Sequence, residues 1–182
     1  VEAELKEHVM KRLLIVSTWF QAIWFCAVIG NYDLQYVTLS LVVLTLAISA
    51  IKENLSWFKY ALIVVIGVLV DFTNLTLGWF QFQHEHFPVW LFALWLIFAW
   101  YAHFLYPVLS QYPLAIVSVV GGIGGALSYI AGESLGAVSF GASTFTIVGL
   151  LLVEWTLIIA LIMKVYGHEV HNSNNSIPSA DR

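Results

Sequence analysis

The sequence contains few charged residues and almost no cysteine. Only 10% of its 182 residues are Asp, Glu, Lys or Arg, against about 25% in a typical soluble domain. Cys26 is the single cysteine, which excludes an intrachain disulfide and any metal site built from several cysteines. The seven Lys and Arg residues form no basic patch with interleaved aromatic residues. The composition therefore argues against a soluble domain and against a nucleic-acid partner.

Hydrophobic residues make up 60% of the chain, and the mean hydropathy is +0.87. They fall into six apolar runs, each of roughly the 17–25 residues that a helix needs to cross a bilayer. The runs cover residues 13–30, 34–51, 59–79, 89–109, 114–131 and 143–166. The predicted fold class is all-α, a polytopic membrane protein with six transmembrane helices.

The polar residues divide the chain into three parts. Residues 1–12 are predicted to be a cytoplasmic lead, residues 13–166 the six-helix transmembrane domain, and residues 167–182 a disordered cytoplasmic tail. If the chain crosses the membrane six times, all seven Lys and Arg lie on one side. The loops on the other side contain none. This positive-inside pattern predicts that both termini are cytoplasmic.

The third apolar run contains a carboxylate, Asp71, at membrane depth. It shares one helical face with residues spaced three or four apart: Tyr60, Val64, Gly67, Asn74 and Gly78. A charge within the membrane is costly, so Asp71 is expected to face other helices or a water-filled cavity. The functional alternatives are a proton carrier, an ion ligand or a catalytic acid. The structural alternative is a hydrogen bond between helices, formed with the help of Asn74.

Two further acids complete the candidate polar site. Glu154 lies near the middle of the sixth run, and its own helix offers no polar partner, so a partner is expected on another helix. Asp71 and Glu154 are candidates for a pair of carboxylates that face one cavity. Glu133 lies in the loop after the fifth run. The candidate catalytic set is Asp71 with Asn74, helped by Glu133 or Glu154, in a pocket that opens toward the outer half of the membrane.

Two short motifs point to other chemistry, and each has a simpler interpretation. His84 and His86 would point the same way in an extended chain, as metal ligands do, but their spacing matches no established zinc motif and favours a solvated loop. Ser134 lies in a formal G-x-S-x-G, which marks a nucleophile only on a strand-to-helix elbow. Here the motif ends a membrane helix. No cofactor is predicted.

The fifth run carries a stripe of small residues, namely Ser118, Gly121, Gly125, Ser128 and Gly132. Small residues let membrane helices approach closely. We expect this stripe to be the surface against which the helix of Asp71 docks. Alternatively, Gly121 and Gly125 bind another membrane protein.

Three stretches of the chain, taken in order, resemble a known family. They are G-x-x-x-D at Gly67 and Asp71, P-x-W-L-x-x-L-W-x-x-F-A from Pro88, and Y-x-A-G-x-x-L-G-A from Tyr129. The resemblance covers residues 19–166. It is to a family of small bacterial inner-membrane proteins with no established activity, catalogued as domain of unknown function 2878. Genes of this family often stand near genes for fatty-acid modification and for a stress-type sigma factor. The resemblance thus implies a role in envelope lipid chemistry or its stress response.

Three functional hypotheses follow. The first is an accessory or enzyme-like protein of envelope lipid modification, with membrane lipid as its partner and Asp71 as acid, base or head-group ligand. The second is a small proton-coupled carrier in which Asp71 and Glu154 take up and release protons. The third is a structural subunit that binds a membrane partner through the Gly121–Gly125 stripe.

Overall fold

The computed structural model describes residues 2–84 and 86–175, which are helical apart from loops and two short strands. The helices are α1 (Glu2–Lys52), α2 (Trp57–Thr76), α3 (Val89–Leu109), α4 (Leu114–Ser134) and α5 (Thr144–Asn175). The strands β1 (Phe80–Gln81) and β2 (Ser139–Phe140) pair antiparallel. In this described part of the chain, five helices are long and apolar enough to cross a membrane. The predicted all-α class of membrane protein is confirmed at this level.

α1 reverses its direction at Asn31. The backbone there has φ 42° and ψ −129°, a combination found at the first central position of type II′ turns, where Gly, Asn and Asp dominate. Trp19 Nε1 donates a hydrogen bond to Thr45 Oγ1 at 3.0 Å. These two residues would lie about 39 Å apart along a straight helix. Residues 2–30 and 32–52 therefore form an antiparallel pair, which corresponds to the first two apolar runs.

The helix ends differ from the predicted runs at several places. α4 ends at Ser134 rather than at residue 131, so Glu133 lies in the helix and not in the predicted loop. α1 already begins at Glu2, within the predicted polar lead, because the lead is rich in the strong helix formers Glu, Ala, Leu and Lys. α2 ends at Thr76 rather than at Trp79, since Gly78 has a positive φ of 73°. α5 extends past residue 166 to Asn175, and no proline interrupts it. Residues 176–182 of the predicted disordered tail lie outside the described residues.

The helices pack as two groups with a groove between them. α1 packs along α3, α4 packs along α5, and α2 contacts both α3 and α5. The prediction that the small-residue stripe of α4 docks against the helix of Asp71 is wrong. Side chains of α5 cover the stripe instead, because Ile159 faces Gly121 and Trp155 faces Gly125.

Candidate functional site

Asp71 is held by hydrogen bonds from two other helices. Trp95 Nε1 of α3 and Tyr129 OH of α4 each donate to Asp71 Oδ2 at 2.6 Å. The Asp71 side chain is only 2% exposed, and a carboxylate at such depth is tolerated only where hydrogen bonds replace its hydration. Asp71 thus fixes an indole and a phenol in place and ties α2 to α3 and α4. We call these three residues the Asp71 cage.

Two glycines make room for the rings around the cage. Gly67 lies one turn before Asp71, and a Cβ added there would overlap the ring of Trp95. The ring of Trp95 stacks on Trp155 with a centroid distance of 5.3 Å and an interplanar angle of 9°. Trp155 in turn lies against Gly125, where a Cβ would also overlap it. The G-x-x-x-D spacing therefore places two residues on the same face of α2. Gly67 makes room for the Trp95 ring, and Asp71 accepts the hydrogen bond of its indole N–H.

Asn74 and Glu154 form a second polar contact. Asn74 Nδ2 donates to Glu154 Oε2 at 2.9 Å, so the partner of Glu154 comes from another helix. Asn74 is fully buried, and its Oδ1 has no hydrogen-bond partner in the described part of the chain. Glu154 is half-buried and lines a groove of about 280 Å³ between α2 and α5. Apart from Glu154 and Thr73, the side chains that line this groove are apolar.

A chamber of about 70 Å³ lies beside the Asp71 cage. Its walls are mainly aromatic and include Phe20, Trp24, Phe82, Trp90, Trp95, Phe98, Tyr129 and Trp155. Trp24 Nε1 donates to Ser128 Oγ at 2.8 Å across the chamber wall. Tyr129 and Trp95 thus line the chamber and also belong to the cage, whereas Asp71 does not line the chamber.

The paired strands pack against Tyr129 in the wall of the chamber. Phe80 stacks on Tyr129 with a centroid distance of 5.1 Å and on Phe140 with a centroid distance of 6.2 Å. Gly141 approaches Gly78 so closely that a Cβ on Gly141 would overlap the Gly78 carbonyl oxygen. The α2–α3 and α4–α5 loops are thereby fastened to each other beside Tyr129. Strands of two residues are too short to leave an alternating pattern in the sequence.

An apolar groove of about 440 Å³ continues from the chamber along α4. The chamber and this groove share four wall residues, namely Phe20, Phe98, Ser128 and Trp155. The groove lies between the α1–α3 and α4–α5 groups, and its lining is apolar apart from Ser128 and Tyr112. We call it the α4 groove.

The family profile described as protein of unknown function (DUF2878) matches residues 13–161. The chain belongs to this family. The match includes the Asp71 cage, the chamber and Glu154. No curated protein and no solved structure matches the chain.

Among the predicted site residues of this DUF2878 protein, Asp71, Asn74 and Glu154 are brought together, and Glu133 is not. Glu133 lies in the last turn of α4, and no hydrogen bond or ion pair links it to the other three within the described chain. Asp71 lines neither the chamber nor the Glu154 groove. The two carboxylates therefore do not share either of these cavities. Ser134 Oγ donates to the carbonyl of Ile130 at 2.9 Å, which is a bond within its own helix.

The two histidines of the α2–α3 loop lie apart from the site. His84 is exposed and packs edge-on against the ring of Tyr32 with a centroid distance of 4.5 Å. His86 is exposed as well, and residue 85 lies outside the described residues. In the part of the chain that is described, no three His, Cys, Asp or Glu residues come together as metal ligands would.

Sequence reasoning missed Trp95 and Tyr129 as the partners of Asp71. Both residues stand in the motifs that carry the family resemblance, but a motif does not reveal which helices face each other. The glycine one turn before Asp71 was the available signal, because a glycine on a buried face marks the close approach of a neighbour.

Proposed function

We propose that the protein is a multi-pass protein of the bacterial inner membrane with six transmembrane helices and cytoplasmic termini. The first candidate segment, Glu7–Lys52, has 46 residues. A straight helix of that length would span about 69 Å, more than twice the hydrocarbon core of about 30 Å. The reversal at Asn31 supports two crossings. Arg12 pairs with Glu53, and Lys59 lies over the Tyr166 ring, so these cations gather at one end of the bundle, which supports its cytoplasmic placement.

Cysteine accessibility tests this topology. In a Cys26→Ala background, a cysteine at Asp33 should react with a membrane-impermeant maleimide in intact cells, whereas one at Asn54 should react only after lysis. Labelling of both positions in intact cells, or of Asn54 alone, would contradict the proposed six crossings or their direction.

The function that the geometry supports best is lipid binding in the service of envelope lipid modification. The observation that carries this proposal is the continuity of the apolar α4 groove with a chamber whose wall contains Tyr129. The groove offers hydrocarbon contacts to a lipid chain. The chamber, which adjoins the groove, offers polar side chains to the lipid. Tyr129 is the residue that would contact the lipid, and Asp71 is a positioning residue that orients the Tyr129 hydroxyl.

The family resemblance supports the envelope as the setting of this function, through the neighbourhood of fatty-acid modification and stress-response genes that it implies. Comparative lipidomics tests the proposal. Membranes of cells that lack the protein would be compared with membranes of cells that carry the parent chain or Asp71→Asn. We expect a defined lipid species to be altered both in the deletion and in the variant. An unchanged profile in the deletion would overturn the proposal.

A second candidate function is a proton-coupled carrier. The observation that favours it is the half-buried Glu154 on an apolar groove, joined to Asn74 and close to Asp71. Intramembrane carboxylates commonly serve proton movement. Acid-driven proton uptake into proteoliposomes, followed with a pH-sensitive dye, should then be lost in Asp71→Asn and in Glu154→Gln. Proteoliposomes of the parent chain that take up protons no faster than empty liposomes would exclude this function.

A further inference from the structure

Trp90 is a buried tryptophan whose indole N–H has no hydrogen-bond partner in the described chain. Its side chain is 3% exposed, and its ring lines the chamber. Two other tryptophans of the chamber wall are satisfied, since Trp24 donates to Ser128 and Trp95 donates to Asp71. A buried donor without an acceptor is uncommon in folded proteins and destabilises them. A ligand in the chamber could supply the missing acceptor.

The kinds of side chain that line the chamber limit the chemistry of such a ligand. No Asp, Glu, Lys, Arg or His side chain lines it among the described residues. A phosphate or an ionised carboxylate would find no cation there and would be costly to desolvate. A neutral acceptor suits this environment, and the carbonyl oxygen of an ester or of an undissociated carboxylic acid has that property.

The size of the two cavities narrows the ligand further. The chamber, at about 70 Å³, has room for a small polar group such as a carbonyl. The α4 groove runs beside α4 from Ile116 to Ser128. That length is about 18 Å, close to one leaflet of a hydrocarbon core about 30 Å thick. The groove therefore matches a single long hydrocarbon chain.

We propose that Trp90 donates a hydrogen bond to the carbonyl oxygen of one fatty-acyl group whose hydrocarbon chain lies in the α4 groove. This inference rests on the proposed lipid-binding function and names its ligand class. The acyl group is a small neutral ester or the free acid in its undissociated form. Its carbonyl end lies under the paired strands, and its chain extends along α4 away from them.

Photolabelling with matched probes tests the inference. The full-length protein in dodecyl maltoside micelles is exposed to methyl hexadecanoate, hexadecanoic acid or hexadecane, each with a diazirine at mid-chain. Mass spectrometry then measures labelling of α4. We expect the two oxygenated probes to label the parent chain about tenfold more than hexadecane does, a ratio that corresponds to about 1.4 kcal/mol. Trp90→Phe should reduce this ratio to about one, because it removes the unpaired indole N–H but keeps a ring.

Two glycines provide a matched control for the groove. A Cβ added at Gly124 or at Gly149 meets no atom within 4 Å, but only Gly124 lines the α4 groove. Gly124→Trp should fill the groove and abolish labelling of α4 by all three probes. Gly149→Trp, on an exposed position of α5, should leave labelling unchanged.

The outcomes separate this inference from the proposed function. If Trp90→Phe keeps the parent preference for the oxygenated probes, Trp90 does not bind the carbonyl, although loss of labelling in Gly124→Trp would still support lipid binding. If the oxygenated probes label the parent chain no more than hexadecane does, the inference is overturned whatever the variants show. If no probe labels α4 of the parent chain, the proposed lipid binding fails as well. Stronger labelling by the acid or by the ester identifies which of the two is the acyl source.

Discussion

The two membrane carboxylates, Asp71 and Glu154, have different surroundings. Asn74 nevertheless connects them, because it lies one turn from Asp71 on α2 and donates a hydrogen bond to Glu154. Asp71 is 2% exposed and accepts hydrogen bonds from two aromatic donors on two other helices. Glu154 is half-buried, accepts one hydrogen bond, and borders an apolar groove. The difference indicates that Asp71 organises the bundle around the chamber, whereas Glu154 is the carboxylate that remains accessible.

This contrast assigns different consequences to the loss of each acid. A buried acceptor that serves two donors leaves both unsatisfied when it is removed. Removal of Glu154 leaves only one donor, the side-chain amide of Asn74, without its acceptor. Stability, rather than chemistry, is therefore the property in which the two sites should differ most.

The largest expected effect comes from truncating each acid in turn. Asp71→Ala should lower the free energy of unfolding by about 2–4 kcal/mol, because the N–H of Trp95 and the O–H of Tyr129 both lose their acceptor. Glu154→Ala should lower it by about 1 kcal/mol or less, in line with single hydrogen bonds between membrane helices. Unfolding by SDS in mixed micelles measures both. Equal losses would remove the distinction between the two carboxylates.

The next effect concerns the space that lets Trp95 reach Asp71. Gly67→Ala should destabilise the protein by about 1–3 kcal/mol, because the added methyl group overlaps the Trp95 ring. Gly124→Ala is the matched change in α4, where a Cβ meets no atom within 4 Å. It should be neutral or stabilising by up to about 1 kcal/mol, since alanine favours helix over glycine. The same SDS titration checks the pair, and a neutral Gly67→Ala would show that the Trp95 contact is loose.

The smallest effect tests one arm of the cage. Tyr129→Phe should cost about 0.5–1.5 kcal/mol, the net value of one hydrogen bond. In the Asp71→Ala background the same substitution should cost less, because the bond is already lost and an unpaired O–H is removed. A double-mutant cycle measures this coupling. Additive losses would mean that Tyr129 and Asp71 act independently.

The sequence predicted the bounds and buried faces of the helices better than it predicted which helices contact each other. The buried face of α2 includes Tyr60, Val64, Gly67, Asp71 and Asn74, as the spacing of three and four predicted. The bounds of α3 were predicted because Pro88 and Ser110 flank a predominantly apolar run. Such features depend on local periodicity and on breakers, which one sequence displays directly.

The arrangement of helices was harder to predict because apolar residues occur on every face of these helices and do not indicate which helix each face contacts. The small-residue stripe of α4 indicated close packing, but it did not indicate that Trp155 and Ile159 of α5 would fill it. Glu133 was grouped with Asp71 as a further acid, whereas the structure shows that the hydrogen-bond partners of Asp71 are Trp95 and Tyr129. Contacts between distant segments decide the site, and these contacts leave no period in the chain.

The most direct test of the central claim compares Tyr129→Phe with Glu154→Gln in the membrane lipid profile. Each variant would be expressed at the parent level in cells that lack the protein. If Tyr129 contacts the lipid and Asp71 positions it, Tyr129→Phe should fail to restore the lipid species altered by the deletion, whereas Glu154→Gln should restore it. Restoration by Tyr129→Phe together with failure of Glu154→Gln would contradict the assignment of the chamber as the functional site and would favour the carrier.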